Sequence, residues 1–199
     1  MKTVFFDVDT QLDFLYPAGA LYVPGAEKLL PEFAALTRYA SRKGFQIVST
    51  ADAHFEDDLE FKTWKPHCVA GTVGQQKAAA TLLGQPLVLG TLEEALDEIR
   101  SSIAEGRQIV VEKQKLDAFT NPHLRPLLHL LKAERYVLYG VVTELCVRCA
   151  AFGLLATGAR VELVSDAIKS LSASEARGFI DQFQSQGGEL TTVSSVVSE

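Results

Sequence analysis

Short β-branched and aromatic runs alternate with amphipathic stretches along almost the whole chain, and this alternation constrains its fold more than any other feature. Thr3-Val4-Phe5-Phe6-Asp7-Val8 reads as a first strand. Residues 26–42 carry Leu29, Leu30, Phe33, Leu36 and Tyr39 at helical spacing, and Gly44 follows as a stop. Further strands are expected at 45–50, 108–111, 136–139, 161–164 and 189–193. Between them, Thr91-Leu92-Glu93-Glu94 has the pattern of a capping box opening a helix to about residue 104. Asn121-Pro122 opens another helix, Thr143 caps one reaching about residue 157, and Ser172 caps the last, which ends before Gly187-Gly188. Residues 51–90 read as irregular, although 75–83 could form a helix. Strands alternating with helices imply βαβ units. The expected fold is α/β: three α/β/α layers around a mainly parallel six-stranded sheet, as a single domain over residues 1–199.

Composition narrows the partners. With 199 residues, 47% of them apolar, and no break in composition, the chain can bury one substantial core. A net charge of −6 argues against nucleic acid or an anionic membrane as partner, since neither is drawn to an acidic surface. The first apolar run stops at Asp7, shorter than a signal peptide requires, and no later stretch has the length to cross a bilayer. A cytoplasmic location is the default expectation. The three cysteines, Cys68, Cys146 and Cys149, are an odd number and do not suggest a disulfide framework.

In parallel sheets ligands gather beyond the carboxyl ends of the strands. Four of the expected strands run there into reactive side chains: Asp9, then Asp52-Ala53-His54, then Lys113, then Thr143-Glu144-Leu145-Cys146. Cys146 falls in the first turn of a helix, where unpaired N–H groups favour thiolate, and a neighbouring Lys113 would favour it further. Asp9 could accept the thiol proton during attack. Against this stands the plain reading of a free cysteine as a small buried hydrophobe. Cys146-Val147-Arg148-Cys149 also spells C-x-x-C, which makes a thiol–disulfide redox protein the rival enzyme class; no aromatic precedes the motif and no Gly-Pro lies within it.

Asp52 and His54, two apart in an extended segment, point the same way. With His67 they offer a carboxylate and two imidazoles, a set suited to one divalent ion, Zn²⁺ or else Mn²⁺ or Fe²⁺, and Glu60 could supply a fourth ligand. The plain alternative is a capped loop with solvated histidines.

Taken together the segments resemble the isochorismatase-like cysteine hydrolases, and among them the nicotinamidases most closely. Asp9-Thr10-Gln11-Leu12-Asp13-Phe14 is similar to the family's D-x-Q-N-D-F, and residues 18–26 to the G-G-x-L-x-V-P-G-A that follows. Asp52-Ala53-His54 and Trp64-Lys65-Pro66-His67-Cys68-Val69 resemble its D-x-H and W-P-x-H-C-V segments. Lys113, six residues before Phe119, matches the catalytic lysine, and Gly140-Val141-Val142-Thr143-Glu144-Leu145-Cys146-Val147 matches G-x-x-T-x-x-C-V.

The resemblance implies a Rossmann-like sheet and amide hydrolysis by Cys146, Asp9 and Lys113. It also implies a cis Val141–Val142 peptide, an oxyanion hole of the Val142 and Cys146 N–H groups, and a substrate pocket with Phe14, Trp64 and Val141. The implied substrate is a small carboxamide; another amide or carbamoyl hydrolase on the same triad is the nearest alternative. The oligomeric state stays open, a homo-oligomer included. Leu12 in place of Asn, Lys65 in place of Pro and Ala53 in place of an aromatic depart from the pattern, and residues 82–103 look longer than in compact members.

Overall fold

The computed structural model describes residues 1–91 and 96–198. In chain order its elements are β1 (Thr3–Val8), α1 (Leu12–Leu15), α2 (Leu30–Lys43), β2 (Gln46–Asp52) and β3 (Leu87–Leu89). There follow α3 (Leu96–Ala104), β4 (Ile109–Lys113), α4 (Leu124–Leu131), β5 (Arg135–Val141) and α5 (Arg148–Leu155). The chain closes with β6 (Arg160–Lys169), α6 (Ala173–Ser185), β7 (Glu189–Thr191) and α7 (Val193–Val197). The strands form one sheet in the order β3-β4-β2-β1-β5-β6-β7, and every pairing is parallel.

The sheet therefore has seven strands rather than the six expected. The addition is the edge strand β3, which pairs with β4 and buries Leu87 and Leu89 while exposing Val88. Its three residues sit between Pro86 and Gly90, inside the stretch 51–90 that read as irregular.

Other boundaries moved for local reasons. Pro31 sits in the first turn of α2, where its missing N–H costs nothing, and a 3₁₀ turn, Ala26–Leu29, precedes it. Of the stretch 75–83 only Ala79–Thr81 is helical, as one 3₁₀ turn. Thr143 does not cap its helix. Val142 occupies the N-cap position with no side-chain hydrogen bond, and Thr143–Val147 form a π-helical turn before α5 begins. Ser172 caps α6 as expected, its side chain accepting from Glu175 N–H. Residues 92–95, with most of the expected capping box, lie outside the described residues.

Period-two alternation sorts the strand residues into two cores. Val4, Phe6, Val8, Tyr136 and Leu138 face one side, packing with Leu127, Leu131, Leu154 and Phe183 of α4, α5 and α6. Phe5, Val137, Tyr139 and Val141 face the other, against Phe33, Leu36 and Ala40 of α2 and Val196 of α7. The connection after β1 thus covers one face and that after β5 the other. The connections leaving these two adjacent strands run to opposite faces, the switch point at whose crevice ligands of such sheets bind.

Two features hold that crevice in shape. Lys77, buried, sits 2.9 Å from Asp7 Oδ2 and donates to Thr10 Oγ1 at 2.8 Å. This pair fastens the far end of the long loop after β2 beneath the sheet. Gly140 has φ +125°, and a Cβ there would lie 2.1 Å from the carbonyl oxygen of Val8, so only glycine lets β5 pass this close to β1. Gly140→Ala is expected to lower stability by more than about 1 kcal/mol, because neither the dihedral nor the space suits an L side chain. A thermal melt matching wild type would contradict this.

Candidate active site

Asp9 follows β1, Asp52 and Lys113 end β2 and β4, and Cys146 lies in the turn after β5, so the parallel sheet brings all four to one edge. Lys113 is the hub. Its side chain, 1% exposed, sits with Nζ 2.9 Å from Asp9 Oδ2 and 3.5 Å from Cys146 Sγ, and it donates a very short hydrogen bond to Asp52 Oδ1. The contact with Asp9 is an ion pair off the hydrogen-bond direction, which leaves Asp9 Oδ2 buried without an aligned donor. Thr50 Oγ1 donates to the other oxygen, Oδ1, at 2.6 Å. Asp9 itself lies at φ 50°, a left-handed conformation uncommon for a non-glycine residue.

Burial and charge divide the protons among these groups. Burial raises the Asp9 carboxyl above its usual range, and the Lys113 ammonium only partly offsets this. For Asp52 burial works the same way, but the Lys113 ammonium and the neighbouring His54 and His67 imidazoles outweigh it and hold the group as carboxylate. Burial would lower Lys113; the charges of Asp52, Asp9 and Cys146 reverse that and keep it an ammonium. The Cys146 thiol is pushed well up, by burial first and then by the two carboxylates, against the opposing pull of Lys113. The helix end and the lysine therefore do not by themselves produce a resting thiolate, as the sequence had suggested. The thiol rests protonated beside a carboxyl group of raised basicity.

The residues read as a possible metal set also converge. Asp52, His54 and His67 place one ligand atom each within 4.8 Å of one another. Asp52 Oδ2 is 3.7 Å from the Nε2 atoms of both histidines, and Glu60 Oε1 is 3.9 Å from the same two atoms. The histidines are not solvated: His54 is 0% and His67 2% exposed. Their outward nitrogens settle the tautomers. His54 Nδ1 pairs with Asp58 Oδ2 at 3.0 Å and His67 Nδ1 donates to the Lys65 carbonyl at 2.7 Å, so both Nε2 lone pairs face the common centre. His54 Nε2 is buried with no hydrogen-bond partner among the described residues. An orphaned imidazole nitrogen ringed by two carboxylates and a second imidazole fits a divalent cation.

The pocket above these groups has Asp9, Cys146, Asp52, Glu60 and His67 in its base. Phe14, Trp64, Val141 and Val142 form walls, with Leu21, Leu116, Leu145 and Leu171 closing the remainder. The Val141–Val142 peptide is cis. Every site residue expected from sequence thus lies in or against one pocket. Cys146 combines both readings of a free cysteine: it is 6% exposed and packs in the core, yet lines the pocket. Cys149 is half-buried, and both thiols are free.

Sequence reasoning missed the supports. Gln11 accepts from Asp52 N–H at 2.7 Å and donates to the Asp52 carbonyl at 2.8 Å, fixing the strand end that presents this carboxylate. Asp58 orients His54 and also caps the turn carrying Glu60, accepting its N–H at 2.9 Å. Asp13 accepts from Cys68 N–H at 2.7 Å, next to His67. The position of Asp58, four residues after His54, was the available signal.

The three-layer fold around a parallel sheet and the groups gathered at its crevice are those of a hydrolase. More narrowly, the chain belongs to the isochorismatase family, since residues 89–195 match the Isochorismatase domain. Nicotinamidase of Saccharomyces cerevisiae is 22% identical over 200 residues, covering 86% of this chain and 89% of that protein. A probable inactive nicotinamidase of Arabidopsis thaliana is also 22% identical, over 168 residues, with 83% and 80% covered. Among solved structures, pyrazinamidase of Pyrococcus horikoshii in complex with zinc superposes with a TM-score of 0.79 at 26% identity, over 96% of this chain and 99% of that one. Among the described residues, no helix is long and apolar enough to cross a membrane.

Proposed function

We propose that the protein is a nicotinamidase, converting nicotinamide and water to nicotinate and ammonia through a thioester on Cys146. The observation that carries this reading is the Lys113 ammonium in contact with Asp9, Asp52 and the Cys146 sulfur at once. It sits beneath a pocket whose walls include two aromatic side chains and whose base adjoins the Asp52, His54 and His67 set. Among the described residues, no lysine or arginine lines that pocket, which suits a neutral amide better than an anionic substrate.

Asp52, His54, His67 and Glu60 would hold one divalent ion, which when bound supplies a Lewis-acid contact for a ring nitrogen. The chain's own groups then act as follows. Phe14 and Trp64 flank the ring and orient the carboxamide over Cys146, a gain of effective concentration rather than of chemistry. Asp9 Oδ2 takes the thiol proton as sulfur attacks the amide carbon. The N–H groups of Val142 and Cys146 receive the developing oxyanion, each worth about 3 kcal/mol in comparable sites. Asp9 returns the proton to nitrogen as the C–N bond breaks and ammonia leaves. It next removes a proton from water, which attacks the thioester, releasing the carboxylic acid and restoring the thiol. Lys113 stays charged throughout and balances the negative charge that moves between sulfur and carboxylate.

Ammonia release over a panel of small amides, before and after chelation, tests the assignment. Nicotinamide is expected to turn over and chelation to suppress it. If nicotinamide were inert while carbamoyl compounds released ammonia, the substrate would be wrong and the triad would remain. Asp58 offers a separate test of the ion site. Asp58→Ala is expected to weaken zinc binding about 10- to 100-fold, as loss of an orienting partner commonly does. Affinity equal to wild type by competition with a chromogenic chelator would remove Asp58 from that role.

A further inference from the structure

Glu144 lies in the π-helical turn two residues before Cys146, and nothing in the chemistry above uses it. A glutamate 6% exposed needs an explanation, because burying a carboxylate is costly unless donors surround it. One of its oxygens, Oε1, accepts from Leu171 N–H at 2.8 Å and from Ser172 N–H at 2.6 Å. The other, Oε2, is buried without a hydrogen-bond partner among the described residues. Ser172 is the cap of α6, so the carboxylate also sits at the positive end of a thirteen-residue helix. Leu171 lines the pocket that holds Cys146, although 45% of its surface is open to solvent. One carboxylate oxygen therefore joins the turn carrying the thiol to the segment carrying part of the pocket wall.

We infer that Glu144 is a positioning residue that sets the width of the pocket by fixing Leu171 relative to Cys146, and so restricts the site to small amides. Leu171 packs in neither core cluster and its backbone N–H goes to Glu144, while Ser172 is held in addition by its capping bonds to α6. Charge-assisted bonds to backbone N–H groups are short and directional, and two to a single oxygen leave the segment little freedom. Substrate width is the quantity such a brace controls. The chemical step depends on Asp9, Lys113 and Cys146, none of which Glu144 touches in the hydrogen bonds above. The inference rests on the pocket being the amide site, so the test needs one measurement independent of turnover.

The alkylation rate of Cys146, read by peptide mass spectrometry, supplies it. Iodoacetamide is a narrow probe of the thiol and N-phenylmaleimide a broad planar one. Glu144→Ala is expected to raise the rate with N-phenylmaleimide about tenfold relative to iodoacetamide, and to raise KM for nicotinamide about tenfold with kcat within about threefold. Glu144→Gln keeps an oxygen that can accept both N–H groups and is expected to restore most of each effect. Leu171→Ala should shift the alkylation ratio in the same direction, and the double variant should exceed neither single one, since both act through one wall.

An unchanged ratio in Glu144→Ala or in Leu171→Ala overturns the inference, as does a fall in kcat with KM unmoved or additive effects in the double variant. Should Glu144→Ala not fold, Leu171→Ala and Glu144→Gln decide. A shifted ratio in the first with a near-normal one in the second supports the brace, and any other pair of results overturns it. If wild type releases no ammonia from nicotinamide but the ratio shifts, the brace stands and the substrate assignment falls. If ammonia is released and the ratio does not move, the reverse holds.

Discussion

Cys146→Ala is expected to lower kcat/KM for ammonia release by on the order of 10⁵-fold, the scale seen when a nucleophile is removed from a site whose members act together. The sulfur is the only group among Asp9, Lys113 and Cys146 that can form the covalent intermediate; the other two would be left with nothing to activate. Stability should hardly change. The side chain is small, and the Lys113 pairings with Asp9 and Asp52 do not need it. A melt close to wild type combined with lost turnover separates a chemical role from a packing role. Turnover within about tenfold of wild type would be incompatible with covalent catalysis by this residue.

Lys113→Met should cost the most stability of any single change in the site. It would leave Asp9 and Asp52 facing one another in the interior with no cation between them, and Lys113 is itself 1% exposed. Breaking a buried pair in this way costs about 3–5 kcal/mol. At about 2–4 °C per kcal/mol for a chain of this size, the melting temperature should fall by roughly 6–20 °C. The pH dependence has a definite sign. In wild type the Asp52 carboxyl is held below its ordinary value, so its stabilising contribution is present above that value and lost as pH falls. Asp9 is raised already, by burial, and would rise further without the ammonium. A carboxyl raised in the folded state favours folding when protonated and loses that advantage as pH increases. Both effects make the penalty of Lys113→Met largest near neutral pH and smaller in acid. Melts across the acid range check this, and a penalty that grows toward acid would contradict the charge assignment.

The sequence carried the parts of this molecule that repeat or end abruptly. The strands β1, β2, β4, β5, β6 and β7 were legible as short runs rich in β-branched and aromatic residues, and the first strand's end was legible because polar residues follow at once, as in Val8-Asp9-Thr10. Edge strand β3 was not, because its three residues sit between Pro86 and Gly90 in a stretch that read as irregular. The turn after β5 read as an ordinary capped helix, since nothing in Thr143–Val147 announces a π-turn. The same limit applied to protonation. A helix start and a nearby lysine suggested a lowered thiol pKa, but burial depends on every neighbour at once and reversed the direction. Supports such as Gln11 and Glu144 were hidden for a related reason. Their partners, Asp52 and Leu171, are adjacent only after the strands have been laid side by side.

The thioester provides the most direct test of the account. Enzyme mixed with excess nicotinamide, quenched in acid within a turnover and digested, should yield the peptide bearing Cys146 with one nicotinoyl group attached. The adduct should be absent from Cys146→Ala and should disappear when the quench is delayed past substrate exhaustion. Rapid ammonia release with no acyl group on that sulfur at any quench time, or with the group found on another residue, would contradict the mechanism.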